Sequence, residues 1–587
     1  MPPVTQPRLS RRFRLSAEFM WLIGQIRPLW RWHLASFLSI TAGSLFALAS
    51  PLLLKWLIDS IIPQKQIGLL VVAVLLIFLS HEGSVALTSI GSYLMFFASQ
   101  KMGLTLRLDL LEHLDTLSAD YYDETPVGTV MYPLKEPIDD IAYFGSDLLP
   151  AILRLLLTTS FTVAAMAALS PVLTLAIIPL IPAFLVVRQY FRRNLTRAAD
   201  SAQDDQLRWS NFLEEHLSSV MPIQLLGQEK RQERKAFQLL VRSVRSQLSL
   251  YRTATGFTIS SSLAIVLAMS AVIGYGGRSV LAGTLSIGSL VAFYGFVAQL
   301  FDPLNGASEL YARAQKTLAS IRRVQAVLSL RPSITNIPAA LLLSKQYSAD
   351  IEFASVVFGY SSNKDLLRVP ALRISMGEHI AIAGENGAGK STLAKLTARL
   401  YDPLSGSIRL GREDIRNLHL KSLRQVVSYL PRDPALFDGS IASNLLFVRP
   451  SASEREIEDA IQVVGLSALI AALPNRLKQR IGPDGCQLSG GERQRLALAR
   501  TLLQKPRVVI LDEATSCLDP TSELKVLKHL RNHLSLSTFV VISHRLSTFS
   551  EFGRVLLLSH GRIVSDADSR TFLATYTMPS PSMISTD

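Results

Sequence analysis

The sequence predicts an α-helical transmembrane bundle of about six spans, followed by an α/β domain built around a phosphate-binding loop. Three observations carry this. Six apolar segments fill the first half, near 34–58, 67–97, 147–169, 171–191, 254–277 and 285–306, each about long enough to cross a bilayer as a helix. In the second half, the short apolar run Ile380–Ala383 leads into Gly384-Glu385-Asn386-Gly387-Ala388-Gly389-Lys390-Ser391-Thr392, and then into a helix-like stretch from Leu393 to Thr397. Finally, 49% of the 587 residues are hydrophobic and the mean hydropathy is +0.29. That is too apolar for an ordinary soluble protein and too polar for a pure membrane bundle, and it suits a chain that is half of each.

Charge placement orients the membrane half. The net charge of +14 invites a nucleic-acid partner, but the basic residues sit where a membrane protein keeps them. Arg8, Arg11, Arg12 and Arg14 precede the first apolar segment, and Arg192, Arg193, Arg197, Lys230, Arg231, Arg234 and Lys235 lie between the fourth and fifth. The short links 59–66 and 278–284 carry little positive charge beyond Lys65 and Arg278, so the long links 98–146 and 192–253 and both termini are expected on the cytoplasmic side. The basic start has no small-residue cleavage site before the first long apolar run and reads as a signal anchor. Cys486 and Cys517 are the only cysteines, so no disulfide framework is expected.

Taken in order, residues 1–31 read as a cytoplasmic elbow, with Trp21, Trp30, Arg27 and Arg31 suited to the membrane interface. A transmembrane domain with long cytoplasmic helical extensions is expected at 32–330. His81, Glu82, Arg154 and Asp302 fall within its apolar segments. Such groups are costly in lipid and mark a polar pathway, unless the helices run past the bilayer and the charges are simply solvated; both readings stay open, with His81 and Glu82 the better cavity candidates. Pro332 and Pro338 break the last helix, giving a linker at 331–348. A nucleotide-binding domain is expected at 349–571, and a Pro- and Ser-rich flexible tail at 572–587.

The chemistry concentrates in the second half. Gly384, Gly387 and Gly389 let the backbone curl so that its N–H groups face phosphate oxygens, and the following helix N-terminus favours the anion. Lys390 can reach the β- and γ-phosphates, and the Ser391 hydroxyl can ligate Mg²⁺. Downstream, Arg507–Asp512 reads as a buried parallel strand ending in a carboxylate. Asp512 is placed to hold Mg²⁺, and Glu513 to polarise an attacking water. Between these lies Leu488-Ser489-Gly490-Gly491-Glu492-Arg493-Gln494.

These motifs, in this order and behind six spans, resemble the ATP-binding cassette (ABC) exporters in their half-transporter layout, over nearly the whole chain. The resemblance implies an ABC-type cassette that binds ATP and Mg²⁺. It makes Tyr360 the aromatic that stacks on adenine, Ser516-Cys517-Leu518-Asp519 the D-loop, and His544, at the end of the apolar strand Val540–Ser543, the switch histidine at the γ-phosphate. It places residues 119–123 and 223–227 near two coupling helices. Two positions depart from the family pattern. Arg432 stands where the family carries a glutamine, and Gly482-Pro483-Asp484-Gly485 replaces a more acidic loop; a guanidinium cannot ligate a metal, although it can contact phosphate.

The resemblance further implies that Ser489, Gly490 and Gly491 cap the nucleotide of a second half-transporter, so that two chains form one machine. Intact Glu513 and the Ser-Gly-Gly core favour a homodimer, and Arg432 keeps a heterodimer open. The expected activity is ATP-driven export or outward flipping of an amphipathic substrate, such as a lipid, peptide or drug, in the cell (inner) membrane. The alternative is an ATP-gated regulator or channel-like protein with weak hydrolysis. A soluble ABC ATPase acting on nucleic acid is disfavoured by the six spans.

Overall fold

Long runs of apolar residues leave the backbone no partner in lipid but itself, so helices form wherever the first half is hydrophobic. The computed structural model describes residues 11–177, 180–343, 348–360 and 363–577. Arg8 and the tail from 578 lie outside these, as do the side chains of Arg11, Arg12, Arg14 and Asp302. The chain divides into two units, Met1–Leu114 with Gly128–Ser329 and Asp115–Val127 with Leu330–Asp587.

In the first unit, four helical stretches among the described residues are long and apolar enough to cross a membrane: Met20–Ile61, Ile67–Thr116, Val127–Leu169 and Glu229–Leu281. A shorter apolar stretch, Ile287–Leu300, begins the helix Ile287–Leu328. The expected fourth segment runs over the helices Pro171–Ile177 and Leu180–Ser218, with residues 178 and 179 outside the description. Ile67–Thr116 has 50 residues. At ~1.5 Å per residue that is about 75 Å, more than twice the hydrocarbon thickness. His81, Glu82 and Arg154 are exposed on their helices.

Met166, Leu173, Val272, Phe293 and Phe296 form an apolar core where four helices meet. Asp59, in the last helical turn of the stretch Met20–Ile61, caps the helix Ile287–Leu328, its Oδ1 accepting from the Gly288 N–H at 2.8 Å. A Cβ on Gly288 would stand 2.6 Å from the Lys55 carbonyl oxygen, so only glycine admits this approach. The antiparallel helices Leu180–Ser218 and Glu229–Leu281 are tied by Asp205 and Arg242 at 2.8 Å.

The second unit is an α/β domain on one ten-stranded sheet. Its strands are β1 (Ile351–Tyr360), β2 (Asn363–Ile374), β3 (His379–Gly384), β4 (Ser405–Leu410), β5 (Glu413–Asp414), β6 (Val427–Leu430), β7 (Val508–Asp512), β8 (Thr538–Ile542), β9 (Arg554–Ser559) and β10 (Arg562–Asp568). The spatial order is β5-β4-β1-β2-β10-β9-β3-β8-β7-β6. From β9 to β6 every neighbouring pair is parallel. Parallel strands covered on both faces read as nearly continuous apolar runs, and all five residues of both β7 and β8 are buried, the terminal Asp512 and Thr538 included.

One segment joins this unit from elsewhere in the sequence. The helix Ala119–Glu124, lying between two membrane helices in the chain, belongs to it, and Ala119 packs on its core. Residues of the expected linker are bonded into it: the Leu341 N–H donates to Asn417 and the Leu341 carbonyl accepts from His419, both at 2.9 Å. At the start of the expected tail, Ser569–Thr577 is helical, and Phe572 packs on Phe549 at 5.7 Å between ring centroids.

Candidate nucleotide-binding site

Four adjacent parallel strands, β3, β8, β7 and β6, end at the same edge of the sheet. Open parallel sheets bind ligands at this carboxyl edge. β3 delivers the glycine-rich loop, β8 delivers Ser543 and His544, β7 delivers Asp512 and Glu513, and β6 delivers Pro431 and Arg432.

Gly384, Gly387 and Gly389 have φ of +145°, +82° and +97°. At Gly384 a Cβ would lie 2.2 Å from the Leu558 carbonyl oxygen, so the residue has neither the space nor the dihedral for a side chain. Lys390 is buried, and its Nζ donates to the carbonyls of Gly384 and Glu385 at 2.7 and 2.8 Å. Its ammonium is thus folded back across the mouth of its own loop, the position from which it can meet a phosphate. Burial lowers its pKa, against the opposing charges of Glu513 and Asp512. Glu385, Asn386 and Gly387 are exposed at the loop tip, while Ala388 is buried. Thr392, buried on the following helix, lies 3.4 Å from the Tyr360 hydroxyl.

Behind the loop, the Ser391 hydroxyl donates to Asp512 Oδ1 and the Tyr429 hydroxyl to Asp512 Oδ2, both at 2.9 Å. Burial raises the pKa of Asp512, and these two bonds pull it back. A hydroxyl beside a desolvated carboxylate is the oxygen-only donor set of a hard divalent cation, so these residues fit Mg²⁺.

Glu513 has a left-handed backbone, φ +52°, which no glycine relieves. Its two carboxylate oxygens go in different directions. Oε1 lies 2.7 Å from His544 Nε2, and Oε2 lies 3.3 Å from Arg432 Nη1.

Ser489 caps the helix Gly490–Gln504. Its hydroxyl accepts from the Glu492 N–H, and Glu492 in return accepts from the Ser489 N–H at 2.8 Å. This reciprocal capping box explains a glutamate at 492. A Cβ on Gly490 would sit 3.2 Å from Cys517 Sγ, and one on Gly491 equally far from the Cys517 carbonyl oxygen, so the two glycines lie close against the D-loop.

Comparison with known proteins decides the family. Residues 33–304 match the family described as ABC transporter transmembrane region, and residues 367–516 the family described as ABC transporter. YwjA of Bacillus subtilis, named as an uncharacterized ABC transporter ATP-binding protein, is 30% identical over 90% of this chain and 92% of its own length. The chain belongs to the ABC transporter family. The ATP-dependent lipid A-core flippase of Desulfotalea psychrophila is 29% identical over 92% of this chain and 94% of its own. A solved bacterial Atm1-family ABC exporter with ATP bound shares the fold, with a TM-score of 0.79 at 24% identity over 94% of this chain and 97% of its own. One membrane region and one ATP-binding region in a single chain is the half-transporter layout. The transporter is therefore an integral membrane protein with its ATPase domain in the cytoplasm, and its hydrolysis of ATP is coupled to transport.

Direct bonds join Tyr360 to Thr392, Ser391 to Asp512, and Glu513 to both His544 and Arg432. Ser489, Gly490 and Gly491 sit instead with the D-loop.

Several further residues hold the transporter's motifs together. Gln494, 2% exposed, donates to the Arg432 carbonyl at 3.1 Å and to the Ser516 hydroxyl at 3.2 Å, and accepts from the Cys517 N–H at 3.0 Å. Arg545 donates to the Leu518 and Ser516 carbonyls at 2.7 and 2.9 Å, and pairs with the buried Glu523. The positions of Gln494 and Arg545 beside motif residues were the available signal. Asp123, on the helix Ala119–Glu124, accepts from the Tyr401 hydroxyl at 2.5 Å and from Lys395 at 2.9 Å. Burial alone would raise the Asp123 carboxyl, yet these two bonds hold it below its ordinary value. Tyr401 meets Tyr360 edge-to-face, with ring centroids 5.2 Å apart.

Proposed function

We propose that this chain works as a homodimeric exporter, moving an amphipathic substrate such as a lipid, peptide or drug by alternating access. The observation that carries this reading is the convergence at one sheet edge of Lys390 with the bonded pairs Ser391–Asp512 and Glu513–His544, the set a hydrolytic cassette needs. Lys390 and the N–H groups of Gly384 to Thr392, including those of Glu385, Asn386 and Ala388, hold the phosphates. Tyr360 stacks on adenine. Ser391 and Asp512 hold Mg²⁺, which when bound draws charge from the phosphate oxygens.

Glu513 orients a water for attack on the γ-phosphorus and accepts its proton as the bond to the ADP oxygen breaks. His544 holds Glu513 in line and touches the γ-phosphate. Ser489, Gly490 and Gly491 serve the nucleotide of the partner subunit, and their tie to the D-loop supports this, because both then move as one piece. The Asp123–Tyr401–Tyr360 chain supports coupling, since it links the nucleotide face to a helix inserted between two membrane spans. A lipid-like cargo is supported by the likeness to a lipid A-core flippase.

The second reading is an ATP-gated regulator with weak hydrolysis, and the specific observation behind it is Arg432 against Glu513.

The purified chain alone in lipid nanodiscs is expected to have the mass of two copies and to hydrolyse ATP in a Mg²⁺-dependent way. A monomer without activity rejects the homodimer. A dimer that binds ATP but hardly turns it over favours the second reading.

Tyr429→Phe tests the metal face. The hydroxyl stabilises ionised Asp512, so its loss raises a pKa that burial has already raised. The acid limb of the ATPase pH profile is expected to move to higher pH, because a hydrogen bond to the ionised carboxylate is lost. An unmoved acid limb separates Asp512 from the titration.

A further inference from the structure

The family glutamine is replaced here by Arg432, and its surroundings give that arginine a defined task. Gln494 grips the Arg432 carbonyl at 3.1 Å, which anchors the backbone. The side chain beyond it is 67% exposed and free to swing. Nη1 lies 3.3 Å from Glu513 Oε2, while His544 occupies Oε1. Each oxygen of the carboxylate therefore already carries one partner, and Arg432 is the one on Oε2.

The Arg432 contact is also the weaker of the two. A long, single-pronged ion pair whose arginine is largely exposed contributes little. A triphosphate offers more charge and paired oxygens, which a guanidinium engages with two parallel N–H donors. Glu513 follows Asp512, whose Oδ1 accepts from Ser391 of the glycine-rich loop at 2.9 Å, so Arg432 stands at the same strand ends as that loop.

We propose that Arg432 is a nucleotide-sensing latch. One position of the latch is the contact with Glu513 Oε2. When ATP binds, Arg432 moves to the terminal phosphate and frees that oxygen to accept the water proton. ADP has no terminal phosphate in that place and leaves the latch closed. A guanidinium only donates hydrogen bonds, so the sensing works by charge and needs no metal. Arg432 is a positioning residue in this scheme, which rests on Glu513 being the base.

The test is nucleotide binding to the full chain in nanodiscs, with EDTA present so that no hydrolysis intervenes. A fluorescent nucleotide is displaced by ATP or by ADP. The wild-type chain is expected to prefer ATP by about tenfold, the scale of one charge-assisted contact. Arg432→Ala and Arg432→Gln are expected to bring the two nucleotides within about twofold, while Arg432→Lys keeps part of the preference. Glu513→Gln weakens the closed latch and should tighten ATP severalfold, but not in an Arg432→Ala background. An undiminished preference in Arg432→Ala overturns the latch, as does a Glu513→Gln effect equal in both backgrounds. Because these are binding measurements, a base assigned to the wrong residue appears separately, as normal hydrolysis by Glu513→Gln.

Discussion

Glu513→Gln is expected to lower steady-state ATP turnover by about a hundredfold to ten-thousandfold, the range assigned to a positioned general base. Nucleotide binding should persist. The substitution keeps the shape of the side chain, and its amide can still meet His544, which stands 2.7 Å from Oε1. What is lost is the ability to accept a proton. Two alternatives make different predictions. If Asp512 were the base, Glu513→Gln would retain most turnover, and Asp512→Asn would abolish both turnover and metal-dependent binding. If His544 were the base, its replacement would cost as much as that of Glu513, whereas a histidine that only orients a carboxylate costs less. Phosphate release measured beside fluorescent-nucleotide affinity separates these cases. A variant retaining a tenth of wild-type turnover would remove Glu513 from its role.

The nucleotide face was legible in the sequence because its signals are local. A buried strand, three glycines and a lysine must be neighbours in the chain to build one loop, so Ile380 to Thr397 announces its own geometry. The same holds for an apolar strand ending in Asp512 and Glu513, and for one ending beside His544. The membrane half was legible as a class for a similar reason, since hydropathy acts over twenty consecutive residues.

What stayed hidden depends on partners far apart in the chain. The resemblance puts residues 119–123 near a coupling helix but names no partner for Asp123, which is bound by Lys395 and Tyr401, 272 and 278 residues away. Nothing local says that residues 115–127 pack with the nucleotide-binding unit while the chain on either side of them belongs to the other. Arg432 was visible as a departure, but its pairing with Glu513 follows from β6 and β7 lying side by side, which register alone reveals. Glu523 is the sharpest instance. It sits in a helix whose composition suggests a solvated face, and the fold buries it to 2% exposure.

That burial sets the other large effect. Arg545→Met is expected to destabilise the nucleotide-binding unit by about 3 kcal/mol or more, the cost of leaving a buried charge without its partner. Glu523 would retain the hydroxyls of Thr515 and Thr548, at 2.9 and 3.0 Å, but these do not neutralise it. The Leu518 and Ser516 carbonyls would lose their donor as well. Intrinsic fluorescence is the wrong probe, because all five tryptophans, Trp21, Trp30, Trp32, Trp56 and Trp209, lie in the other unit. Hydrogen exchange at the buried amides of β7 and β8 reads the right one. The double variant Arg545→Met with Glu523→Leu decides what the pair is for. Replacing both charges by apolar groups of similar size should recover most of the stability, as buried ion pairs elsewhere allow. It does not restore the bonds from Arg545 to the D-loop, so the loop that neighbours Gly490 and Gly491 remains untethered from the strand end that carries His544. Recovered exchange protection together with depressed ATP turnover would assign the pair to holding these motifs in register. Recovery of both would leave it a purely structural contact.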